Sequence, residues 1–226
     1  MRSSNTPDMR LSALVSAKAL SALMGKPDGK DKVLATIQYA CMFLAAGSSG
    51  NALQLQKALA SSRKPFRLYK PVDQLMPILH GKHMSPINKI KAIAMALYFG
   101  GDHIVWAGSV GLIKNKELVE KVQKVSLYGW LVGSVCTLLS EARALSRKYD
   151  PSRLKELDEA AQLELKRKAM SVAQAAAQTT LCLGMLKYFN AKPRTLGFLG
   201  LTSSALSVAL MLTTPPRAAP TASKQA

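Results

Sequence analysis

The sequence predicts an all-α protein: a membrane-associated helical bundle with amphipathic helices and a C-terminal transmembrane helical hairpin. Hydrophobic residues make up 48% of the 226 residues, although 31 Lys and Arg against 13 Asp and Glu give a net charge of +18. Long stretches nevertheless carry no charge, and the alternating pattern of β-strands is scarce. This combination excludes a wholly disordered chain and a collagen-like one. A basic soluble helical domain and a membrane protein with basic loops remain.

The charge pattern divides the chain into five segments. Residues 1–27 are predicted to be an N-terminal segment in which we expect no secretory signal, and residues 28–140 are predicted to form an amphipathic, membrane-embedded helical domain. Residues 141–168 form a charged helical connector, and residues 169–214 form the transmembrane hairpin. Residues 215–226 are rich in Pro, Ala and Ser, which predicts a disordered tail.

The strongest candidate for a membrane span lies near the C-terminus. Thr195–Pro216 contains no charged residue and has the roughly 20 apolar residues that a span requires. A buried helix of a soluble core is the alternative, but such helices normally have a charged face. Small residues recur along this run, and small residues allow close helix approach in lipid. They are Gly200, Ser203, Ser204 and Ser207.

A second uncharged run, Ala169–Leu186, precedes this span and completes the hairpin through the short basic loop Lys187–Arg194. It is marginal as a span because it contains four polar side chains, which we expect to bond to the partner helix. These are Gln174, Gln178, Thr179 and Thr180. In the charged connector before it, Pro151 suits a helix start.

Two central runs are ambiguous. Ala92–Ile113 is long enough to span but contains Asp102 and His103, and an ionisable residue at mid-span costs about 2.5–3.5 kcal/mol. Val125–Ser140 is only 16 residues long, which is short for a span. Each run is either buried against other helices or embedded shallowly in the membrane.

The N-terminal half is predicted to form amphipathic helices. Asp28 and Asp31 are suited to open a helix at Lys32 that continues to Ala46. The Gly-Ser-Ser-Gly sequence at 47–50 then breaks it, and Asn51 is predicted to cap the next helix.

The strongest local signal is the basic segment Lys57–Lys70, which contains no acidic residue and has apolar residues interleaved. Such a helix lies in a membrane interface with its cations near lipid phosphates, so we expect it to bind an anionic phospholipid membrane. A solvated basic face, a nucleic-acid patch and a calmodulin-type target are the alternatives. Pro65 interrupts the helix. The predicted membrane-binding residues are Leu55, Lys57, Leu59, Arg63, Lys64, Phe66, Arg67 and Lys70.

No pattern of catalysis is present, and we expect neither an enzyme, a metal nor a cofactor. The 47–50 sequence lacks the Lys-Ser/Thr of a phosphate loop. His80, His83 and His103 are too few for a metal site without further ligands. Asp102 and His103 are adjacent on a helix and point about 100° apart, which favours a helix end or a polar contact inside a bundle over an acid–base pair. The three cysteines lie in apolar runs and are expected to act as small hydrophobes. They are Cys41, Cys136 and Cys182.

Several motifs, taken in order and spacing, resemble the peroxin-eleven family of peroxisomal membrane proteins, and most closely its plant and algal members. The resemblance extends over most of the chain. The motifs are Asp31-Lys32 with Ile37-Gln38-Tyr39; Ser62–Lys70; Asp102–Gly108 with Gly111-Leu112 and Lys116-Glu117; Ser126-Leu127, Trp130, Ser134–Cys136 and Glu141; and Arg194–Ser204.

This resemblance implies a non-enzymatic, integral protein of the peroxisomal membrane that elongates the membrane during peroxisome proliferation and division. It also implies self-association, recruitment of the dynamin-related fission machinery with its tail-anchored adaptor, and cytosolic termini. Two features depart from the family: Pro65 within the basic motif, and a C-terminus, Ser223–Ala226, without paired lysines.

Two rival functions stay open. A peroxisomal membrane pore for small metabolites would use Asp102 and His103 as polar residues within an apolar run. A soluble nucleic-acid binder would be released by high salt without detergent. We expect no nucleic-acid partner, because the same chain carries a predicted span.

Overall fold

A computed structural model of the chain describes residues 17–149 and 158–213. Both ranges are helical, with no strand within them, which confirms the all-α class. Residues 17–24 are helical and precede seven longer helices and one 3-10 turn. These are α1 (Pro27–Ala45), α2 (Asn51–Ser62), the 3-10 turn (Pro65–Arg67), α3 (Lys70–Leu79), α4 (Pro86–Ser109), α5 (Lys116–Lys148), α6 (Glu159–Met185) and α7 (Pro193–Thr213).

The helix starts follow local capping chemistry, with two corrections to the sequence prediction. Helix α1 begins at Pro27, earlier than predicted, and Asp28 lies in its first turn, where a carboxylate suits the helix dipole. Asn51 is the first residue of α2 and does not cap it; the capping position is Gly50, whose φ of 139° suits glycine. Asn115 caps α5, its Oδ1 accepting from the Leu118 amide at 3.0 Å.

Each long helix packs against its neighbours in an open ring. Around this ring the order is α3, α4, α5, α6, α7, α1 and α2. Helices α4 and α5 are antiparallel: Gly108 lies against Val119 at one end, and Gly133 lies against Met95 at the other. Among the described helices, α1 and α4 do not pack side by side, so the ring has a gap between them.

Glycine and serine on α7 allow a close approach to α1. A Cβ added at Gly197 would lie 2.7 Å from the Cα of Phe43, and one added at Gly200 would overlap the ring of Tyr39. Ser204 is buried in the same contact face. The predicted role of the small residues is therefore confirmed, but their principal partner is α1 at the other end of the sequence.

Both glutamines of α6 bond to other helices, but only Gln174 bonds to the hairpin partner α7 as predicted. Gln174 donates from Nε2 to Oγ of Ser203 on α7 at 3.2 Å. Gln178 donates from Nε2 to Oγ of Ser134 on α5 at 2.9 Å. The expectation for the two threonines is wrong, because Thr179 and Thr180 donate to carbonyl groups one turn back in their own helix.

Within the described ranges, two helices are long and apolar enough to cross a membrane, namely α5 and α7. The predicted C-terminal span thus corresponds to α7, a candidate span by length and composition. The run Val125–Ser140 appeared too short, but it is the centre of the 33-residue α5, whose flanking turns supply the missing length. Helix α6 is the more polar member of the C-terminal pair.

The charged segment 141–168 is divided between two helices. Helix α5 continues into it as far as Lys148, and α6 begins at Glu159. Lys148 pairs with Glu164 at 2.5 Å, so the charged ends of α5 and α6 lie together. The predictions for Pro151 and for the tail 215–226 lie outside the described residues.

Candidate functional site

The basic segment does not form one continuous amphipathic helix. Helix α2 ends at Ser62, Pro65 opens the 3-10 turn, and α3 begins at Lys70. A proline lacks the amide proton that a continuing helix needs, so the chain turns here. The cations on either side of Pro65 therefore do not point where one continuous helix would place them.

Three of these cations enter the gap between α1 and α4, where they meet two buried carboxylates. Asp31 of α1 accepts from Arg63 at Nε (3.0 Å) and at a terminal guanidinium nitrogen (3.3 Å). Arg67 reaches both acids: its Nε lies 3.3 Å from Asp31, and a terminal nitrogen lies 3.2 Å from Asp102 of α4. Lys64 pairs with the other oxygen of Asp102. We call these five residues the ionic clasp.

Neutral partners complete the clasp. Arg63 donates to Oε1 of Gln38 at 2.6 Å, and Arg67 donates to the hydroxyl of Tyr98 at 3.1 Å. The two arginines are only 8% and 6% exposed, and Asp31 is 5% exposed. Buried charges persist only when they are paired and hydrogen-bonded. Every charge of the clasp is paired, although Arg67 Nε and Asp102 Oδ2 have ion-pair contacts without a hydrogen bond.

The electrostatics of the clasp stabilise the ionised forms of its members. Burial alone would raise the pKa of Asp31, but the guanidinium groups of Arg63 and Arg67 outweigh it and hold that pKa below its usual value. Burial would likewise lower the pKa of Arg67, but Tyr98 and the two carboxylates raise it. For Lys64, desolvation dominates and lowers the pKa despite the contact with Asp102.

The clasp closes the ring that helix packing leaves open. Asp31 belongs to α1 and Asp102 to α4, and the chain between α2 and α3 bridges them through Arg67. Lys70 extends the bridge by pairing with Asp28 at the start of α1. The basic segment is thus fixed to the bundle by its own cations.

The eight residues predicted to bind membrane are consequently separated by this fold. Leu55 and Lys57 lie exposed on α2, and Leu59 and Phe66 are half-buried. Lys30 lies 5.8 Å from the ring centre of Phe66. The remaining four are the paired cations, so the structure does not present the charges of Arg63, Lys64 and Arg67 at the surface.

Sequence reasoning missed the acidic half of the clasp, together with Gln38 and Tyr98. Of the two expectations for Asp102, a helix end or a polar contact inside the bundle, the structure shows the second, but its partners were not identified. One signal was available: two of the few carboxylates, Asp31 and Asp102, lie next to apolar runs, where a charge needs a partner.

Exposed apolar side chains cover the outside of the segment that the clasp holds. Helical residues 51–79 present five large apolar groups to the exterior, behind which the cations point inward. These are Leu55, Leu68, Tyr69, Val72 and Leu79. A soluble monomer rarely exposes contiguous apolar surface of this kind.

Helices α4 and α5 present a second apolar face. On α5 the exposed residues recur at alternating spacings of three and four, which places them on one side of the helix. They are Val125, Tyr128, Val132, Val135 and Leu139. On α4 they are joined by Ile90, Ile93, Leu97 and Ile104. This face is suited to contact lipid chains.

The described part of the chain brings no three His, Cys, Asp or Glu side chains together in a way that could hold a metal ion. The three cysteines are buried and not in disulfides. His80 bonds through Nδ1 to the carbonyl of Met76, one turn earlier, at 2.9 Å.

Comparison with known proteins finds that this chain is similar to proteins of the peroxisomal membrane. The family model of peroxisomal biogenesis factor 11 matches residues 17–212. Peroxisomal membrane protein 11D of Arabidopsis thaliana is 30% identical over 214 residues, which cover 86% of this chain and 91% of that protein. Peroxisomal membrane protein 11-5 of Oryza sativa subsp. japonica is 30% identical, covering 92% of this chain and 99% of the relative. Peroxisomal membrane protein PMP30A of Candida boidinii is 28% identical, covering 55% and 56%. No solved structure matches the chain.

Proposed function

This chain belongs to the peroxisomal biogenesis factor 11 family of peroxisomal membrane proteins, and we propose that it elongates the peroxisomal membrane during proliferation and division. It acts as a wedge: the amphipathic segment 51–79 enters one leaflet and expands it relative to the other. The chain performs this role without catalysis.

The observation that carries the proposal is the outward apolar surface of segment 51–79, fixed from behind by the ionic clasp. Leu55, Leu68 and Leu79 are about half exposed or more, and each would bury its side chain at the acyl boundary. The exposed Lys57 lies beside them, near lipid phosphates. Arg63, Lys64 and Arg67 then anchor the wedge to the bundle, so that bending force reaches the spans.

The proposed topology places both termini in the cytosol. Phe43 faces Gly197 and Tyr39 faces Gly200, so α1 and α7 run antiparallel. The start of α1 at Pro27 therefore lies at the same end of the bundle as the end of α7 at Thr213. An integral protein with this arrangement has both described ends on one side of the membrane.

We extend the proposal to partners. The apolar face of α5, with Val125, Val132 and Val135, has the spacing of a helix–helix seam and supports packing between copies of this chain. Copies assembled in this way would bring in the dynamin-related fission machinery and its tail-anchored adaptor at the elongated membrane.

The test is reconstitution of the full chain into anionic liposomes. Wild type should resist extraction at alkaline pH and draw the liposomes into tubules visible by electron microscopy. The double variant Leu55→Glu/Leu68→Glu places charges on the wedge and should abolish tubules while leaving membrane integration unchanged, since α5 and α7 are untouched.

Leu163→Glu is the matched control, because Leu163 is equally exposed but lies on α6 outside the wedge. It should tubulate as wild type does. Tubules formed equally by the double variant would exclude segment 51–79 as the wedge. Release of wild type by alkaline washing would exclude an integral protein.

A metabolite pore is the second candidate. It is favoured by a cavity of about 600 Å³ within the ring, whose lining includes Lys32, Lys64 and Arg67. It predicts conductance in planar bilayers that decreases on charge reversal at Lys32. A membrane elongation factor without a pore gives no conductance in the same assay.

A further inference from the structure

The cavity enclosed by the ring carries an excess of positive charge that the clasp does not neutralise. Its volume is about 600 Å³, within the range of small-molecule sites. Five cations and three carboxylates line it, leaving two positive charges in excess. The charged lining residues are Lys32, Arg63, Lys64, Arg67, Lys70, Asp28, Asp31 and Asp102.

Lys32 is the lining cation that has no counter-ion among the residues described by the structure. Each of the other four lining cations pairs with one of the three carboxylates. No acidic group of the described residues makes an ion pair with Lys32. Burial lowers the pKa of Lys32, and although Asp31 raises it, Arg63 and Arg67 lower it further. An ammonium group in this position is costly unless an anion joins it.

Hydroxyl and amide groups stand on the other walls of the cavity. Helix α7 contributes Ser203, Ser204 and Ser207, and α6 contributes Gln178. Most of their donors are engaged within the protein, since Ser204 and Ser207 donate to carbonyl groups of α7 and Gln178 donates to Ser134. An oxyanion in this cavity would therefore depend mainly on Lys32.

The cavity also has an end that lies away from the charges. Asp102 of the clasp and its neighbour Tyr98 lie at the same height along the bundle as Ser126 of α5. The Ser126 hydroxyl donates to the Tyr98 carbonyl at 2.8 Å. The lining residues Met95 and Leu181 lie farther along, near Gly133 and Ser134 of α5. Met95 and Asp102 are seven residues apart on α4, which is about 10 Å along the helix axis. The cavity is therefore elongated, with its charges at one end and its other end formed by Met95 and Leu181 beside the amide of Gln178.

We propose that this cavity binds the phosphate monoester headgroup of an anionic lipid, with Lys32 as its principal ligand and the lipid chain directed toward Met95 and Leu181. A phosphate monoester carries between one and a half and two negative charges at neutral pH, which matches the excess of two. A zwitterionic headgroup does not. This site lies inside the bundle and does not depend on the wedge.

The experiment uses the full chain purified in a neutral detergent and measures bound ligand by native mass spectrometry. Three probes separate the sources of the phosphate: dihexanoyl phosphatidic acid, dihexanoyl phosphatidylcholine with the same chains, and glycerol 3-phosphate with the same headgroup. The phosphatidic acid should bind at one per chain and at least tenfold more tightly than the phosphatidylcholine.

Lys32→Met should weaken binding of phosphatidic acid at least tenfold, because a charge-assisted hydrogen bond is lost. Lys26→Met removes the same charge from an exposed position just before α1 and should bind as wild type does. Without ligand, Lys32→Met should melt at a higher temperature than wild type, because an unpaired buried charge is removed. If Lys32→Met does not fold, Lys32→Gln removes the same charge and should show the same loss of phosphatidic acid binding.

Glycerol 3-phosphate binding as tightly as phosphatidic acid would support the phosphate site and assign it to a soluble ester. Equal binding of phosphatidylcholine, or undiminished binding by the folded Lys32 variant, would overturn the proposal. So would a lower melting temperature of unliganded Lys32→Met, which would make Lys32 a structural residue. Each of these outcomes is independent of whether the protein tubulates liposomes.

Discussion

At the scale of single residues, Asp31 and Asp102 decide where the basic segment lies. Arg63, Lys64 and Arg67 look like a membrane-facing patch in sequence, yet they are drawn inward because two desolvated carboxylates need counter-ions. Removing one partner from a buried pair leaves an uncompensated charge, which costs more than the pair contributes. The clasp is therefore a single unit whose members depend on one another.

The pH and mutational response of Asp31 tests this unit. Its pKa is lower in the folded protein than the ordinary value near 3.9. Its contribution to stability is present above that ordinary value and is lost as the pH falls through the lower folded value. Asp31→Asn should reduce the free energy of unfolding at pH 7 by about 3–5 kcal/mol and flatten the acid limb of the stability curve.

Thermal unfolding in detergent between pH 7 and pH 3 measures both effects. Asp73→Asn is the control, because Asp73 is exposed in the first turn of α3 and should lose no more than the roughly 0.3–1 kcal/mol of a helix-dipole contact. A melting temperature for Asp31→Asn equal to that of wild type at pH 7 would contradict the clasp.

At the scale of helices, the contact between α1 and α7 joins the two ends of the described chain. It depends on Gly197 and Gly200, where a missing side chain brings the backbone of one helix against Phe43 and Tyr39 of the other. Such close packing provides dispersion energy that remains available in lipid, where the hydrophobic effect between helices is weak. Small residues thus determine which helices become neighbours.

Two alanine substitutions separate packing from helix propensity. Gly197→Ala should destabilise the protein by about 1–3 kcal/mol, since its new methyl group meets the backbone of Phe43, which cannot rotate away. Gly100→Ala on α4 meets open space and should stabilise by up to about 1 kcal/mol. Melting temperatures in detergent measure both, and equal effects of the two would show that α1 and α7 are not closely packed.

At the scale of the whole molecule, an open ring of helices is closed by charge instead of by packing. The antiparallel pairing of α1 with α7 sets both described ends at the same end of the ring. The exposed apolar faces of α4, α5 and segment 51–79 lie on its outside. This division into a charged interior and an apolar exterior is suited to lipid as a solvent.

The placement of the ends gives a topology prediction. Epitope tags added separately at residues 1 and 226 should both be accessible to antibody after selective permeabilisation of the plasma membrane, and a luminal peroxisomal marker should not. A result in which only one tag is accessible would contradict a membrane orientation with both termini in the cytosol.

The sequence predicted much of this fold because hydrophobic runs and helix breakers act locally. The break at 47–50, the C-terminal span and the interhelical role of Gln174 and Gln178 follow from such signals. The start of α1 and the capping position of α2 were misplaced by a few residues. The length of α5 was underestimated, because a charge ends an apolar run but does not end a helix. The candidate site was predicted only in part, since Asp31 and Asp102 are separated from the basic segment by about thirty to forty residues.

By itself, the amino-acid sequence determined that this protein is helical, basic and built for a membrane, because composition and periodicity set how each segment meets water or lipid. Only the tertiary structure decided which cations of the basic segment face carboxylates, and that Lys32 borders a cavity with no counter-ion from residues 17–149 or 158–213. The physical reason is that Coulomb energy and desolvation depend on distances across the fold, and the spacing of residues along the chain does not specify those distances.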